Sequence, residues 1–242
     1  MSETRDRVPF DVEKLRTALI DGLRASRGAE RAIFEALEPG QRDAPGFDGD
    51  WSAKDVQAHL SAWRQRQADR MVAQRGAGAA PAESDITLDE LNANYHAERA
   101  DWPWERVALD AEATSEALIA EVATADATML ADPDVLGPIM GDGAEHDLDH
   151  LVRVAPAVGM GSQVLDLADT TLAILDRGGW PARSDAYARY NLACFHAKAG
   201  NLDVARSLLR QALPAEAALR ANAPADDDLI ALRDEIPALA DG

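Results

Sequence analysis

Apolar residues recur at three- and four-residue spacing in segment after segment of this chain, and the strict alternation of a half-buried strand is scarce. The pattern predicts an all-α fold with essentially no sheet. Asp11 can cap a first helix running to about Leu37, with Leu15, Leu19, Leu23, Ala29, Ile33, Phe34 and Leu37 along one stripe. The Pro/Gly/Asp-rich segment from Glu38 to Asp50 reads as a loop. Ser52, with Asp55 at the third helical position, forms a capping box for a second helix that carries Val56, His59, Leu60, Trp63 and Met71 and runs to about Gln74.

Arg75 to Ser84 has the composition of a flexible linker. Thr87 with Glu90 marks a helix from Leu88 to about Ala100. Pro103 suits the first turn of the next, which carries Val107, Leu118, Ile119 and Val122 and ends near Ala125. A loop with Pro133, Gly137 and Pro138 leads into a helix expected from near Gly141 to about Val158. Four principal helices over residues 8–158 make a bundle.

Gly159 and Gly161 mark a boundary to a second helical domain, residues 159–242. One amphipathic helix there holds Val164, Leu167, Ala168, Leu172 and Leu175. A second holds Tyr187, Tyr190, Leu192, Ala193 and Phe195, and a third holds Val204, Ala205, Leu208, Leu209 and Ala212. Gly200-Asn201 makes the turn between the last two.

Charge excludes some partners. A net charge of -19 argues against nucleic acid and anionic membrane, which both need a positive face. Cys194 is the only cysteine, so no internal disulfide can form, and a reducing cytoplasm fits. The N-terminus has no apolar run of signal-peptide type, and no apolar stretch of about 18 residues occurs, so a cytoplasmic, soluble protein is expected. No glycine-rich phosphate loop, dinucleotide fingerprint or G-x-S-x-G elbow is present.

The chain has five histidines, and three of them suggest chemistry. His146 and His150 form an H-x-x-x-H pair. Residues four apart on a helix differ by about 40° around the axis and about 6 Å along it, so the pair can share one metal. His59, from the second helix, would complete a three-nitrogen site with a vacant position, as in catalytic rather than structural zinc. Imidazoles also suit nickel, iron or copper; zinc is the default on availability, with nickel or iron as alternatives. Asp149, Asp142 and Asp55 lie at spacings that reach the ligand face, where a carboxylate can orient an imidazole. Asp55 also has a capping role. Glu145 and Asp147 flank His146 and are expected to point elsewhere. Asn94, Tyr95 and His96 are further pocket candidates, and Trp63 reads as core packing or pocket lining. Cys194 reads as a buried small hydrophobe, distant from the histidines.

Two family resemblances add to this. The segment YNLACFHAKAGNLDVARSLLRQAL, Tyr190 to Leu213, resembles a tetratricopeptide repeat: Ala193, Ala205 and Ala212 match its small contact positions, Gly200 its turn and Leu192 a large apolar position. The first 158 residues resemble the DinB superfamily of four-helix bundles through WSAKDVQAHL with Trp63, LNANYHAERADWPWERV and GDGAEHDLDH. The middle segment looks most like the ClbS/DfsB-like group. The related mycothiol-dependent maleylpyruvate isomerases carry a glutamate at the position matching His146.

The resemblance implies a divalent metal on His59, His146 and His150, with Asp149 orienting the ligands or acting as base. The implied activity is transfer of a low-molecular-weight thiol to a small-molecule electrophile, or hydrolysis of a reactive ring, in detoxification or self-resistance. The alternative is a non-catalytic ligand-sequestering or scaffold protein whose repeat-like tail binds a protein partner. A homodimer is compatible with either.

Overall fold

Local hydrogen bonds fix where the helices start. Asp11 accepts from the Lys14 amide at 3.0 Å and opens α1, Val12–Glu35. The computed structural model describes residues 11–76 and 86–240. The expected linker therefore lies, from residue 77 onward, outside the described residues. The Asp55 amide donates to Ser52 Oγ at 3.2 Å while the Ser52 amide donates to Asp55 Oδ2 at 2.9 Å. This reciprocal cap satisfies two orphan amides and starts the long second bundle helix at Ala53.

The segment expected to be a loop between these helices is more ordered than its composition suggested. It holds a short helix, α2 (Pro39–Arg42), and a strand, β1 (Pro45–Asp48), paired antiparallel with β2 (Trp51–Ser52). Gly49 makes the turn at φ 60, a left-handed conformation that glycine adopts without steric cost. Apart from this hairpin the described chain is helical or irregular, and the fold is all-α. The hairpin leads directly into α3, Ala53–Gln74.

The remaining bundle helices are α4 (Leu88–Arg99), α5 (Trp104–Thr124), α6 (Ala127–Ala131) and α7 (Pro133–Met140). The last two replace the loop expected around Pro133, Gly137 and Pro138. Asp126 and Asp132 cap them through the Met129 and Asp134 amides, and Pro133 occupies the first turn, where its missing N–H costs nothing. Buried Val135, Leu136, Ile139 and Met140 then anchor α7 in the core.

The helix expected from Gly141 to Val158 is broken into three parts. Gly141–Glu145 forms a π-helical turn, α8 covers His146–Val154, and Ala155–Val158 tightens into a 3-10 turn. Gly143 explains the close packing of the π turn. A Cβ there would lie 2.5 Å from Leu23 Cδ2 and 3.2 Å from Leu118 Cδ2, so any larger residue would require these leucine side chains on α1 and α5 to shift. Single π turns of this kind occur often at functional sites.

Beyond Gly159 lie α9 (Gly161–Asp176), which packs on α1, and the hairpin of α10 (Ala182–Lys198) and α11 (Leu202–Ala215). Gly200, at φ 79, makes the hairpin turn. Next come α12 (Ala217–Asn222), a 3-10 stretch at Asp227–Glu235, and α13 (Ile236–Ala240). Buried apolar side chains form one continuous cluster from Leu15 to Leu239. Each fully buried leucine in it, such as Leu60, contributes on the order of 2 kcal/mol.

A charged group crosses the bundle core. Arg64 on α3 is buried, with Nη2 2.7 Å from Asp147 on α8 and 2.6 Å from Glu30 on α1. Ser26 also donates to Asp147, and Arg27 lies 3.1 Å from Glu30. Burial opposes the Arg64 charge, but Asp147 and Glu30 more than offset this and hold its pKa above the usual guanidinium value. Burial pushes Asp147 up to about 6 despite Arg64. The cluster ties α1, α3 and α8 together at the level of the histidines, because Asp147 follows His146 directly.

Candidate metal centre

The hairpin strand, α3 and α8 meet around the three histidines. His59 Nε2 lies 3.1 Å from His146 Nε2, which lies 3.0 Å from His150 Nε2. The three rings are therefore aimed at one point, and the cluster could hold a metal ion. Burial holds all three pKa values below the ordinary histidine value: His59 falls to about 3, and His146 and His150 are also lowered. The rings are neutral at pH 7, the state in which imidazole offers a lone pair.

The hydrogen-bond geometry sharpens this. His150 Nδ1 is 3.0 Å from Asp48 Oδ2, and the carboxylate beside it favours the neutral tautomer with the proton on Nδ1, whose Nε2 lone pair faces the other histidines. His146 Nε2 sits in both short contacts. If it carries a proton, one N–H must serve two acceptors. If it does not, its lone pair faces that of His150. One cation between the rings takes all three lone pairs, which no single proton does. The donor set therefore fits a divalent metal with an open position.

Asp48 comes from the segment read from sequence as a plain loop. Among the described carboxylates it is the one whose ion pair reaches a ring of the triad, and Arg153 holds it in turn. The carboxylates chosen from sequence spacing sit differently. Asp55 is engaged with Ser52 and lies 3.4 Å from His96 Nε2. Asp142 lies 3.6 Å from Arg66. Asp149 is on the cavity wall, but its Oδ1 receives Lys198 Nζ at 2.9 Å. Replacing Asp48 with asparagine is expected to lower zinc affinity by about 10- to 100-fold, read by competition with a chromogenic chelator, while the fold survives. An unchanged affinity would remove Asp48 from the site.

Tryptophan rings pack against His59 and His146. Trp51 packs against His59 at 4.9 Å between centroids and stacks on His96 at 5.5 Å. Trp63 does both things proposed for it: it packs in the core and lines the cavity, with its indole N–H donating to Asn92 Oδ1 at 3.1 Å. Tyr95 lies against Trp63 at 6.0 Å, and Asn94 is exposed, so Asn92 is the asparagine of α4 that meets the cavity.

That cavity, about 460 Å³, lies between His59 and His146 on one side and the α10 face on the other. Two expectations are corrected here. Glu145 does not point away: it lines the cavity with His146. Adjacent residues on an α-helix diverge by about 100°, and here they share a wall because the wider π turn ends on Glu145. Burial pushes Glu145 up to about 7, against a hydrogen bond from Asn191. Nor is Cys194 remote, since it lines the opposite wall with Tyr190 and Asp226. Burial, then Asp226, raises its thiol well above the usual range, so it remains a thiol. Asp147 does point elsewhere, into the Arg64 cluster.

No helix among the described residues is long and apolar enough to cross a membrane. Comparison with protein-family models, with curated proteins and with solved structures gives no match.

Proposed function

We propose that this protein is a divalent-metal-dependent enzyme of DinB type that transfers a low-molecular-weight thiol to a reactive electrophile, or hydrolyses one. The observation that carries the reading is the convergence of three neutral imidazoles within 3.1 Å contacts beside a cavity of about 460 Å³. His59, His146 and His150 would hold the ion, zinc by preference and nickel or iron as alternatives. A divalent ion held there supplies Lewis acidity and lowers the pKa of a thiol or water that reaches it.

The chain's own residues do the rest. Asp48 keeps His150 in the tautomer that offers Nε2. Trp51 packs on the His59 ring, and Trp63 on the His59 and His146 rings. Asp149, a carboxylate of the cavity wall whose Oδ1 also receives Lys198, is the proposed proton acceptor. Helix α10, from the segment that is repeat-like in sequence, lines the other side of the cavity together with Asp226 and Asp228, which favours the enzyme over a tail devoted to protein capture.

The test uses zinc-loaded protein, N-acetylcysteine and monochlorobimane. Conjugation is expected to run at least about tenfold faster than in buffer, and at the buffer rate with His146→Ala/His150→Ala; a tenfold change corresponds to about 1.4 kcal/mol of barrier. Equal rates for wild type and variant would contradict the transferase reading.

A further inference from the structure

A second cavity, about 530 Å³, lies between α1 and α5 and shares no residue with the one beside the histidines. The two helices run antiparallel there. Arg27 on α1 holds Glu112 on α5 at 3.0 Å. Further along α1, Phe34 packs on Trp104, near the start of α5, with ring centroids 6.2 Å apart. Arg31, between Arg27 and Phe34, therefore comes level with Ala108 and Leu109, and all three line the cavity. Where α5 sets a glutamate opposite Arg27, it sets apolar side chains opposite Arg31. The exposed Arg31 side chain makes no hydrogen bond or ion pair among the described residues.

Arg42, from α2, lines the same cavity. Its guanidinium lies 4.7 Å from the centroid of the Trp104 ring, and Nε donates to the Leu37 carbonyl at 3.2 Å. Its two Nη nitrogens make no hydrogen bond among the described residues, and both are open to solvent. Stacking and the carbonyl bond thus hold the guanidinium while its outer edge stays unclaimed. Such an edge presents parallel N–H groups that match a carboxylate or a phosphate.

The walls decide between these anions. Three arginines and three glutamates line the cavity. Glu112 is claimed by Arg27, but Glu35 and Glu105 are exposed and form no ion pair among the described residues. A dianionic phosphate would meet these two carboxylates with twice the repulsion that a single carboxylate meets. The rest of the lining is apolar. Phe34 is buried, and Leu109, 72% exposed, is the most exposed of the large apolar side chains described. An apolar body laid on Leu109 and Trp104 removes that surface from water. The volume suits a small organic molecule.

We infer that this cavity binds a small organic acid, its carboxylate on Arg31 and Arg42 and its apolar body against Trp104 and Leu109. The site is independent of the proposed metal chemistry.

Calorimetric titration of the metal-free full chain tests it with 2-naphthoate, 2-naphthamide and acetate. Naphthoate is expected to bind at least about tenfold tighter than naphthamide, which has the same shape without the charge. Acetate, which has the charge without the body, is expected not to bind measurably. Arg31→Gln is expected to weaken naphthoate about tenfold, the scale of one charge-assisted hydrogen bond, and to leave naphthamide unchanged. Leu109→Ser is expected to weaken both about threefold through the lost apolar contact. Both side chains are exposed, so both variants keep the fold. His146→Ala/His150→Ala is expected to bind naphthoate as wild type does, because the two cavities share no residue. Equal binding of naphthoate and naphthamide, or binding of neither, would overturn the inference. So would wild-type naphthoate affinity in either Arg31→Gln or Leu109→Ser. A loss in the histidine variant would place the acid in the other cavity and overturn it as well.

Discussion

Arg64→Met is expected to destabilise the fold by about 3–5 kcal/mol, read as a fall in the urea midpoint at unchanged slope. The substitution roughly conserves volume and removes the cation that lies 2.7 Å from Asp147 and 2.6 Å from Glu30. Both carboxylates are fully buried. Ser26 and Arg27 would remain, but neither supplies what Arg64 does, a positive charge shared between the two acids. The cost therefore comes from stranding charge in a low-dielectric core, not from losing a favourable pair. That view has a second consequence. Replacing Glu30, Arg64 and Asp147 together by leucine or methionine is expected to be near neutral for stability, because a buried ion cluster offsets little more than its own desolvation. A cost below about 1 kcal/mol for Arg64→Met would show that water reaches the cluster. Arg64 also joins the helix of His59 to the helix of His146, so the single variant should loosen zinc binding as well.

The second large effect is the coupling of zinc, protons and stability at the triad. Zinc that binds the folded chain alone stabilises it by about 4 kcal/mol at a thousandfold excess over its dissociation constant. Protons act in the opposite direction. The triad pKa values are depressed in the folded state, His59 to about 3 from the ordinary 6.5. The unfolded chain therefore binds more protons below pH 6.5, and metal-free protein loses stability from these groups as pH falls from about 6.5 toward about 3. Glu145, pushed up to about 7, and Asp147, pushed up to about 6, have the reverse sign: the folded state takes up their protons first and gains stability as pH falls through those values. Comparing wild type with a variant carrying glutamine at His59, His146 and His150 isolates the histidine part. Metal-free wild type should lose stability relative to the variant between pH 7.5 and pH 5. Zinc should stabilise wild type alone at pH 7.5. Parallel pH curves for the two proteins would contradict burial of neutral imidazoles.

Much of the architecture could be read from local chemistry. Ser52 with Asp55 and Thr87 with Glu90 are reciprocal caps in sequence and in space, because a capping box involves only residues three apart. His146 and His150 share a face because four residues nearly complete a helical turn, and His59 joins them because α3 packs against α8. What escaped the sequence was set by tertiary contact. In the π turn at Gly141–Glu145, Gly143 nests against Leu23 and Leu118, partners far away in the chain. Without that turn, Glu145 reads as facing elsewhere. Asp48 reaches His150 only because a short hairpin folds back over α3 and α8, and a composition rich in Gly, Pro and Asp gave no sign of it. Asp149 has the right spacing, but Lys198 from α10 claims one of its oxygens, an interaction between segments treated as separate domains. Cys194 likewise meets the cavity through the packing of α10 against the π turn, which periodicity within one helix cannot show.

The central claim is that His59, His146 and His150 form one metal-binding unit. Elemental analysis after zinc dialysis and gel filtration tests it most directly. The account predicts about one zinc per wild-type chain and close to none in folded His146→Ala/His150→Ala. Equal, negligible zinc in both proteins would contradict it.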